Sequence, residues 1–87
     1  PAIRVNAIGP TWFWTQGLRQ AVEGDPAKGL PPSAPDYMAR ATGQIPMGRI
    51  GQIDEIVGPV LFLASDAASM VTGHLLMVDG GMTAGRI

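Results

Sequence analysis

The feature that most constrains the fold is the unbroken apolar run Leu75–Val78, which Asp79-Gly80-Gly81 ends. Continuous apolarity of this length is typical of a parallel strand that is covered on both faces. A second strand is predicted at Ile3–Ile8, where apolar residues alternate and where Gly9-Pro10 should stop the strand. Because a long segment separates the two, they should be parallel and joined by a helical crossover. Two parallel strands alone do not make a stable sheet, so the pattern calls for further neighbours.

The predicted crossover helix spans 53–65, with Asp54 and Glu55 in its first turn. Phe62 and Leu63 add apolar surface beyond the core-facing stripe, and such a helix needs a second subunit or another layer to cover it. Pro59 costs about 3 kcal/mol in a helix interior unless it falls near the first turn or a kink is accommodated. The stripe itself follows the i, i+3, i+4 spacing of a helix and comprises Ile53, Ile56, Val57, Val60, Leu61 and Ala64.

Between the first strand and this helix, residues 15–44 have the composition of a mobile lid. Leu18–Glu23 predicts a short helix that Gly24 ends, and the proline-rich segment 25–32 predicts a loop. Ser33 is expected to cap a second helix that Gly43 would stop. The turn-rich segment 45–51 then connects the lid to the crossover helix.

Composition excludes several classes of partner. The 87 residues carry a net charge of −1 without a block of like charge, so neither nucleic acid nor a membrane is an expected partner. The longest apolar runs are too short to span a bilayer. There is no cysteine, which fits a reducing compartment, and we expect a cytoplasmic protein. A chain of this length supports one small domain at most.

Six stretches of the sequence form a characteristic set of motifs: Ile3–Ile8, Pro46–Gly51, Asp54–Ile56, Leu61–Asp66, Val71–His74 and Val78–Ala84. They resemble the motifs of the short-chain dehydrogenase/reductases, a family of NAD(P)-dependent Rossmann-fold oxidoreductases. The resemblance covers the whole chain in the family's order and spacing. It implies an α/β fold in which residues 1–87 are the C-terminal part of a single NAD(P)-binding Rossmann-type domain, with the last two strands of the parallel sheet, the crossover helix and the substrate lid 15–44.

The resemblance also implies a set of site residues. The family's turn after the first strand is usually Pro-Gly-x-Val/Ile-x-Thr, so Pro10, Thr11, Phe13 and Thr15 are expected to bind NAD or NADP. The Phe13 backbone would hold the nicotinamide carboxamide, and the Thr15 hydroxyl would help to bind the carboxamide or the diphosphate. Thr11 replaces the family's glycine, and its Cβ disfavours a positive φ. Trp12, Trp14 and Leu18 are expected on the lid side of the substrate pocket.

The resemblance assigns no catalytic residue to this chain. The one tyrosine, Tyr37, has Ala41 at the fourth following position, so Tyr-x-x-x-Lys is absent and the 87 residues should be inactive alone. We therefore expect a C-terminal segment of an enzyme that interconverts an alcohol and a ketone, possibly a sugar acid or polyol. The family's self-association implies a homodimer or homotetramer through the 53–65 helix and the 75–78 strand. The alternative is a stand-alone, non-catalytic product that retains this surface.

Three further features favour structural roles. His74 is the only histidine and has no second ligand or nucleophile beside it in the sequence. Gly48–Gly51 matches the GxxG loop of an RNA-binding module, but four residues are a weak signal and a turn is favoured. Asp79 supplies one carboxylate where calcium takes six to eight oxygens, so no metal site is expected.

Overall fold

The computed structural model describes residues 3–84 as a mixed α/β unit. Its strands are β1 (Ala7–Pro10) and β2 (Leu75–Val78). Its α-helices are α1 (Gln16–Glu23), α2 (Tyr37–Gly43) and α3 (Val57–Ala64). Short 3-10 turns lie at Pro26–Lys28, Ile53–Ile56, Asp66–Ala68 and Met82–Ala84.

The two strands pair in parallel, with Ala7 opposite Leu75 and Pro10 opposite Val78. The prediction of β2 is therefore confirmed, but the predicted bounds of β1 are wrong, because the strand includes Gly9 and Pro10. The N–H groups of Ala7 and Thr11 donate to the carbonyls of His74 and Val78. Because successive residues of a strand direct their N–H groups to opposite edges, the nitrogen of Pro10 faces away from β2. Proline is tolerated there because the ladder needs no donor from it.

Residues before β1 are held by side chains instead of a regular ladder. The Arg4 guanidinium donates to the carbonyls of Leu63 and Val71, each at 3.0 Å, and to Ser65 at 3.2 Å. Asn6 donates to the Val71 carbonyl at 2.9 Å. These bonds satisfy carbonyls near and beyond the end of α3, which a helix terminus otherwise leaves without partners. Arg4 and Asn6 thus fix the end of the crossover against the entry to the sheet.

The crossover helix begins with the 3-10 turn at Ile53–Ile56 and continues as α3, in place of one continuous α-helix. Pro59 is the third residue of α3. The first N–H groups of a helix have no partner within it, so the proline at this position removes no helical hydrogen bond. Of the cases that the sequence leaves open for Pro59, the structure shows the one in which it lies in the first turn.

Within the predicted lid, α1 ends before Gly24, which has a φ of 77° and caps the helix as expected. The predicted Ser33 cap is wrong. The Ser33 hydroxyl donates to the Val22 carbonyl at 3.3 Å, and α2 begins only at Tyr37. The hydrogen bond from Ser33 to Val22 connects the proline-rich loop to α1, and it replaces the predicted cap of α2.

Little apolar surface is buried in the described part of the chain. Its buried apolar residues are Ala41, Ile45 and Ala68, while Leu61 in α3 and Leu75 in β2 are 62% and 54% exposed. The radius of gyration is 16.4 Å, against about 12 Å for a compact domain of this length. The accessible surface is 6206 Å², against about 4900 Å² for a folded monomer of this mass. The fold is thus an open layer whose apolar faces are available for packing.

Candidate functional site

A groove of about 590 Å³ lies at the carboxyl end of β1. Ligands of open α/β sheets bind at this edge, because the loops there are held by the strands. The groove has the size of a small-molecule pocket and is lined mainly by apolar side chains. Ile53 and Ile56 line the groove together with six of the seven residues predicted for the site. Those six are Pro10, Thr11, Trp12, Phe13, Thr15 and Leu18.

The backbone of Phe13 is positioned by a parallel bridge to Gly51 in the connector. Gly51 donates to the Trp12 carbonyl at 2.9 Å, and Trp14 donates to the Gly51 carbonyl at 2.8 Å. In such a bridge the central residue directs its own N–H away from the partner strand. Within residues 3–84 the Phe13 N–H has no acceptor, whereas its carbonyl accepts from Thr15 N at 2.8 Å. The groove-lining Phe13 therefore offers a free backbone donor.

Gly51 is required by the ring of Phe13. A Cβ built on Gly51 would lie 2.4 Å from Cε2 and 2.7 Å from Cδ2 of that ring. The sequence places Gly51 at the end of a turn-rich connector, and nothing in its local pattern indicates contact with Phe13. The spacing of Ile53 and Ile56 likewise predicts a place in the helix stripe and gives no sign of the site. Their place in the groove depends on the bridge, which joins residues far apart in sequence.

Thr15 is the N-cap of α1, and its Oγ1 accepts from Leu18 N at 3.1 Å. An N-cap hydroxyl satisfies one of the unpaired donors at the helix start. A hydroxyl has one hydrogen to donate besides its acceptor lone pairs, so the cap leaves that hydrogen available. The residue can therefore hold the helix and donate to a ligand in the groove simultaneously.

Thr11 occupies its turn without an unusual backbone. No non-glycine residue among those described has a positive φ. The Thr11 hydroxyl donates to Met82 Sδ at 3.2 Å, and its N–H lies 3.4 Å from the Val78 carbonyl. The threonine in place of the family's glycine is thus accommodated by a contact with the segment after β2.

The two tryptophans lie in different places. Trp12 lines the groove and meets Tyr37 edge to face, with ring centroids 6.0 Å apart. Trp14 does not line the groove, and the Arg19 guanidinium lies 5.0 Å from its ring centroid. Trp12 also borders a second hollow of about 250 Å³, which it shares with α2. Of the two, Trp12 is the one that connects the groove to α2.

An ion pair closes the side of the site that faces the connector. Arg49 Nη1 and Nη2 lie 2.7 and 2.8 Å from Oε1 and Oε2 of Glu55. The hydrogen bond from Arg49, followed by the one from Gln52 N–H, lowers the pKa of Glu55 to about 2. The same hydrogen bond raises the pKa of Arg49. The pair borders a cavity of about 140 Å³ that Phe13 also lines, so it supports the connector that positions the Phe13 backbone.

Asp79 is a turn residue, as the sequence indicates. Its buried carboxylate accepts from the Thr83 hydroxyl at 2.6 Å, from Thr83 N at 3.0 Å and from Gly81 N at 3.1 Å. These bonds, the hydroxyl first, lower the pKa of Asp79. Residues 3–84 contain no group of three or more His, Cys, Asp or Glu side chains that could hold a metal ion. In the same range, no helix is long and apolar enough to cross a membrane.

A parallel α/β unit with an apolar groove at the end of a strand has the architecture of the Rossmann-type proteins. A family model described as enoyl-(acyl carrier protein) reductase matches residues 1–83. The chain belongs to the short-chain dehydrogenase/reductase family, and the predicted resemblance is confirmed.

Curated relatives and solved structures agree with this assignment. The chain is 39% identical over 82 residues to 2-(S)-hydroxypropyl-CoM dehydrogenase 3 of Xanthobacter autotrophicus, covering 94% of the chain and 30% of the relative. It is 43% identical over 79 residues to 2-dehydro-3-deoxy-D-gluconate 5-dehydrogenase of Pseudoalteromonas atlantica, covering 91% and 27%. A structure of a gluconate 5-dehydrogenase from Burkholderia cenocepacia in complex with NADP and tartrate superposes with a TM-score of 0.70 at 37% identity, covering 97% and 29%. The chain therefore spans about three tenths of the length of these relatives.

Proposed function

We propose that this chain is the C-terminal segment of an NAD(P)-dependent oxidoreductase that interconverts an alcohol and a ketone. Residues 1–87 would form the last part of a single Rossmann-type domain, with 15–44 as its substrate lid. Family membership and the dehydrogenase relatives support this reading. The observation that carries it is the groove at the end of β1, where six residues with predicted cofactor or substrate roles converge.

The groove residues fit a nicotinamide cofactor. The free N–H of Phe13 can donate to a carboxamide oxygen, and the remaining hydrogen of the Thr15 hydroxyl can donate to a carboxamide or diphosphate oxygen. Pro10 and Thr11 line the wall beside them. When bound, NAD or NADP accepts or supplies the hydride. The residues of this chain position that cofactor and exclude water, and a tyrosine–lysine pair elsewhere in the polypeptide would move the proton.

The substrate would meet the lid side of the groove, where Trp12 and Leu18 lie. A small alcohol or ketone fits this space, and the names of several relatives favour a sugar acid or polyol. The apolar faces of α3 and β2 are open for packing, which supports assembly as a homodimer or homotetramer through 53–65 and 75–78.

The test is cofactor binding by the full-length product of the gene that encodes this chain. Thr15→Asp keeps a good N-cap but removes the hydroxyl donor, whereas Thr15→Ser keeps both. We expect Thr15→Asp to weaken NAD(P)H binding, measured by fluorescence titration, by about threefold to tenfold or more, because a hydrogen bond is lost and a carboxylate is placed beside the anionic cofactor. Thr15→Ser should bind as the wild type does, and the melting temperatures of both variants should stay close to it. Unchanged binding by Thr15→Asp would remove Thr15 from the cofactor site.

A gene product that binds neither NADH nor NADPH would contradict the proposed function as a whole. A stand-alone, non-catalytic product would then be favoured. The DNA upstream of the Pro1 codon separates the two: an in-frame glycine-rich loop and Tyr-x-x-x-Lys support the enzyme, and a start codon directly before Pro1 supports the stand-alone product.

A further inference from the structure

The hollow beside Trp12 has the chemistry of an anion site. It measures about 250 Å³, smaller than a typical complete ligand pocket, and Trp12 joins it to the larger groove. Its other lining residues come from α2 and the residue that follows it, and they are Tyr37, Arg40, Ala41 and Gln44. A hollow of this size fits one end of a ligand whose other end lies in the groove.

Three hydrogen-bond donors of this hollow are unused. Arg40 pairs with Asp36 through Nε, at 3.3 Å, and its Nη1 and Nη2 make no hydrogen bond within the part of the chain described. The Tyr37 hydroxyl and the side-chain amide of Gln44 likewise make no hydrogen bond to residues 3–84, whereas the Gln44 backbone N–H donates to the Ala41 carbonyl at 3.3 Å. Arg40 is 68% exposed, so its pair with Asp36 is a weak surface pair that leaves the guanidinium able to bind a second anion.

We propose that this hollow is the subsite for a substrate carboxylate. The two Nη atoms of Arg40 form the planar pair of donors that matches a carboxylate. The ring of Trp12 supplies the apolar wall between that carboxylate and the groove, and its edge-to-face contact with Tyr37 holds it in place. The inference rests on the proposed function and narrows it: of sugar acids and polyols, the sugar acid is the substrate class that uses Arg40.

Asp36 is the charge that opposes this role, because its carboxylate repels an incoming anion. It lies on the Nε side of Arg40 and is 65% exposed, so solvent screens much of that repulsion. Lys28, by contrast, belongs to the exposed proline-rich loop and lines none of the hollows described above. It therefore provides a control for the loss of one positive charge from the lid.

The experiment compares D-gluconate with the neutral polyol D-glucitol as substrates of the full-length gene product. Arg40→Gln should lower kcat/KM for gluconate relative to glucitol by about tenfold or more, through KM with kcat retained, because hydrogen bonds to a charged group are lost. Arg40→Lys keeps the charge and should recover part of the preference. Lys28→Gln should leave the ratio unchanged. Calorimetry of gluconate binding gives a second readout that does not depend on turnover.

Each outcome decides the proposal. An equal loss for both substrates in Arg40→Gln would show a structural role for Arg40 and overturn the subsite, as would a wild-type enzyme that prefers neutral alcohols. Those results leave the oxidoreductase assignment intact. If no alcohol is oxidised, the proposed function fails, and the calorimetry decides alone: gluconate binding that Arg40→Gln abolishes upholds the subsite, and no binding overturns it.

Discussion

Replacing Gly51 by alanine tests the contact that positions the Phe13 backbone. The added Cβ would lie 2.4, 2.7 and 2.9 Å from three atoms of the Phe13 ring, where an ordinary carbon–carbon contact is about 3.5 to 4.0 Å. The ring must therefore move by about 1 Å, and it belongs to a residue whose neighbours are fixed by the bridge to Gly51. Overpacking of this kind costs about 1 to 3 kcal/mol. Gly51 has no positive φ, so the backbone itself should accept alanine.

The assay is urea unfolding of the full-length gene product, with cofactor titration beside it. Gly51→Ala should lower the free energy of unfolding by about 1 to 2 kcal/mol, because a more restricted unfolded chain offsets part of the steric cost. Gly58→Ala is the matched control, since its Cβ meets nothing within 4 Å and lies in a helix, where alanine is favoured. We expect Gly58→Ala to be neutral or stabilising by up to about 1 kcal/mol.

A double-mutant cycle with Phe13→Leu isolates the contact. Leucine lacks the outer ring atoms, so Gly51→Ala should cost at least about 1 kcal/mol less in the Phe13→Leu background. An equal cost in both backgrounds would refute the steric reasoning, and so would a Gly51→Ala variant as stable as Gly58→Ala.

Two further predictions concern charge and association. Because the folded-state pKa of Glu55 lies at about 2, below its ordinary 4.5, the stability that the Arg49 pair contributes is present above pH 4.5 and is lost as the pH falls towards 2. Urea midpoints of the wild type and of Glu55→Gln should therefore differ at about pH 6 and converge below about pH 3. Parallel pH curves for the two proteins would contradict this prediction. The 87 residues expressed alone should sediment as oligomers or aggregates, or unfold without cooperativity, because each large exposed side chain forfeits about 1.5 to 3 kcal/mol of burial. A cooperative monomer at micromolar concentration would show that no further layer is required.

The sequence was most informative where local chemistry decides the structure. β2 has the predicted bounds because its apolar run lies between Gly73, which has a φ of 70°, and the turn at Asp79. The end of α1 was predictable for the same kind of reason, since Gly24 adopts a backbone that other residues avoid. The convergence of six predicted residues in one groove follows from their closeness in sequence and from the strand that carries them.

The features that could not be predicted depend on contacts between distant residues. β1 starts late because Arg4 and Asn6 bond to carbonyls more than fifty positions away, which no local pattern encodes. Ser33 has the sequence signature of a helix cap, yet its hydroxyl donates to the Val22 carbonyl and caps no helix. Ile53 and Ile56 have helix-stripe spacing and reach the groove only through the connector. In each case a tertiary partner overrides a valid local signal.

The hydrogen bonds that Asn6 makes to residues late in the chain have a consequence for synthesis on the ribosome. The His74 N–H donates to Asn6 Oδ1 at 3.0 Å, and the two residues are 68 positions apart. Closing a loop of that length costs about 3.7 kcal/mol in chain entropy beyond a constant, and at 5 to 20 residues per second roughly 3 to 14 s pass before the partner is made. During that interval the nascent β1 has no partner strand from within this chain. The strand that carries the groove is therefore made first and cannot pair with β2 until the second strand has emerged.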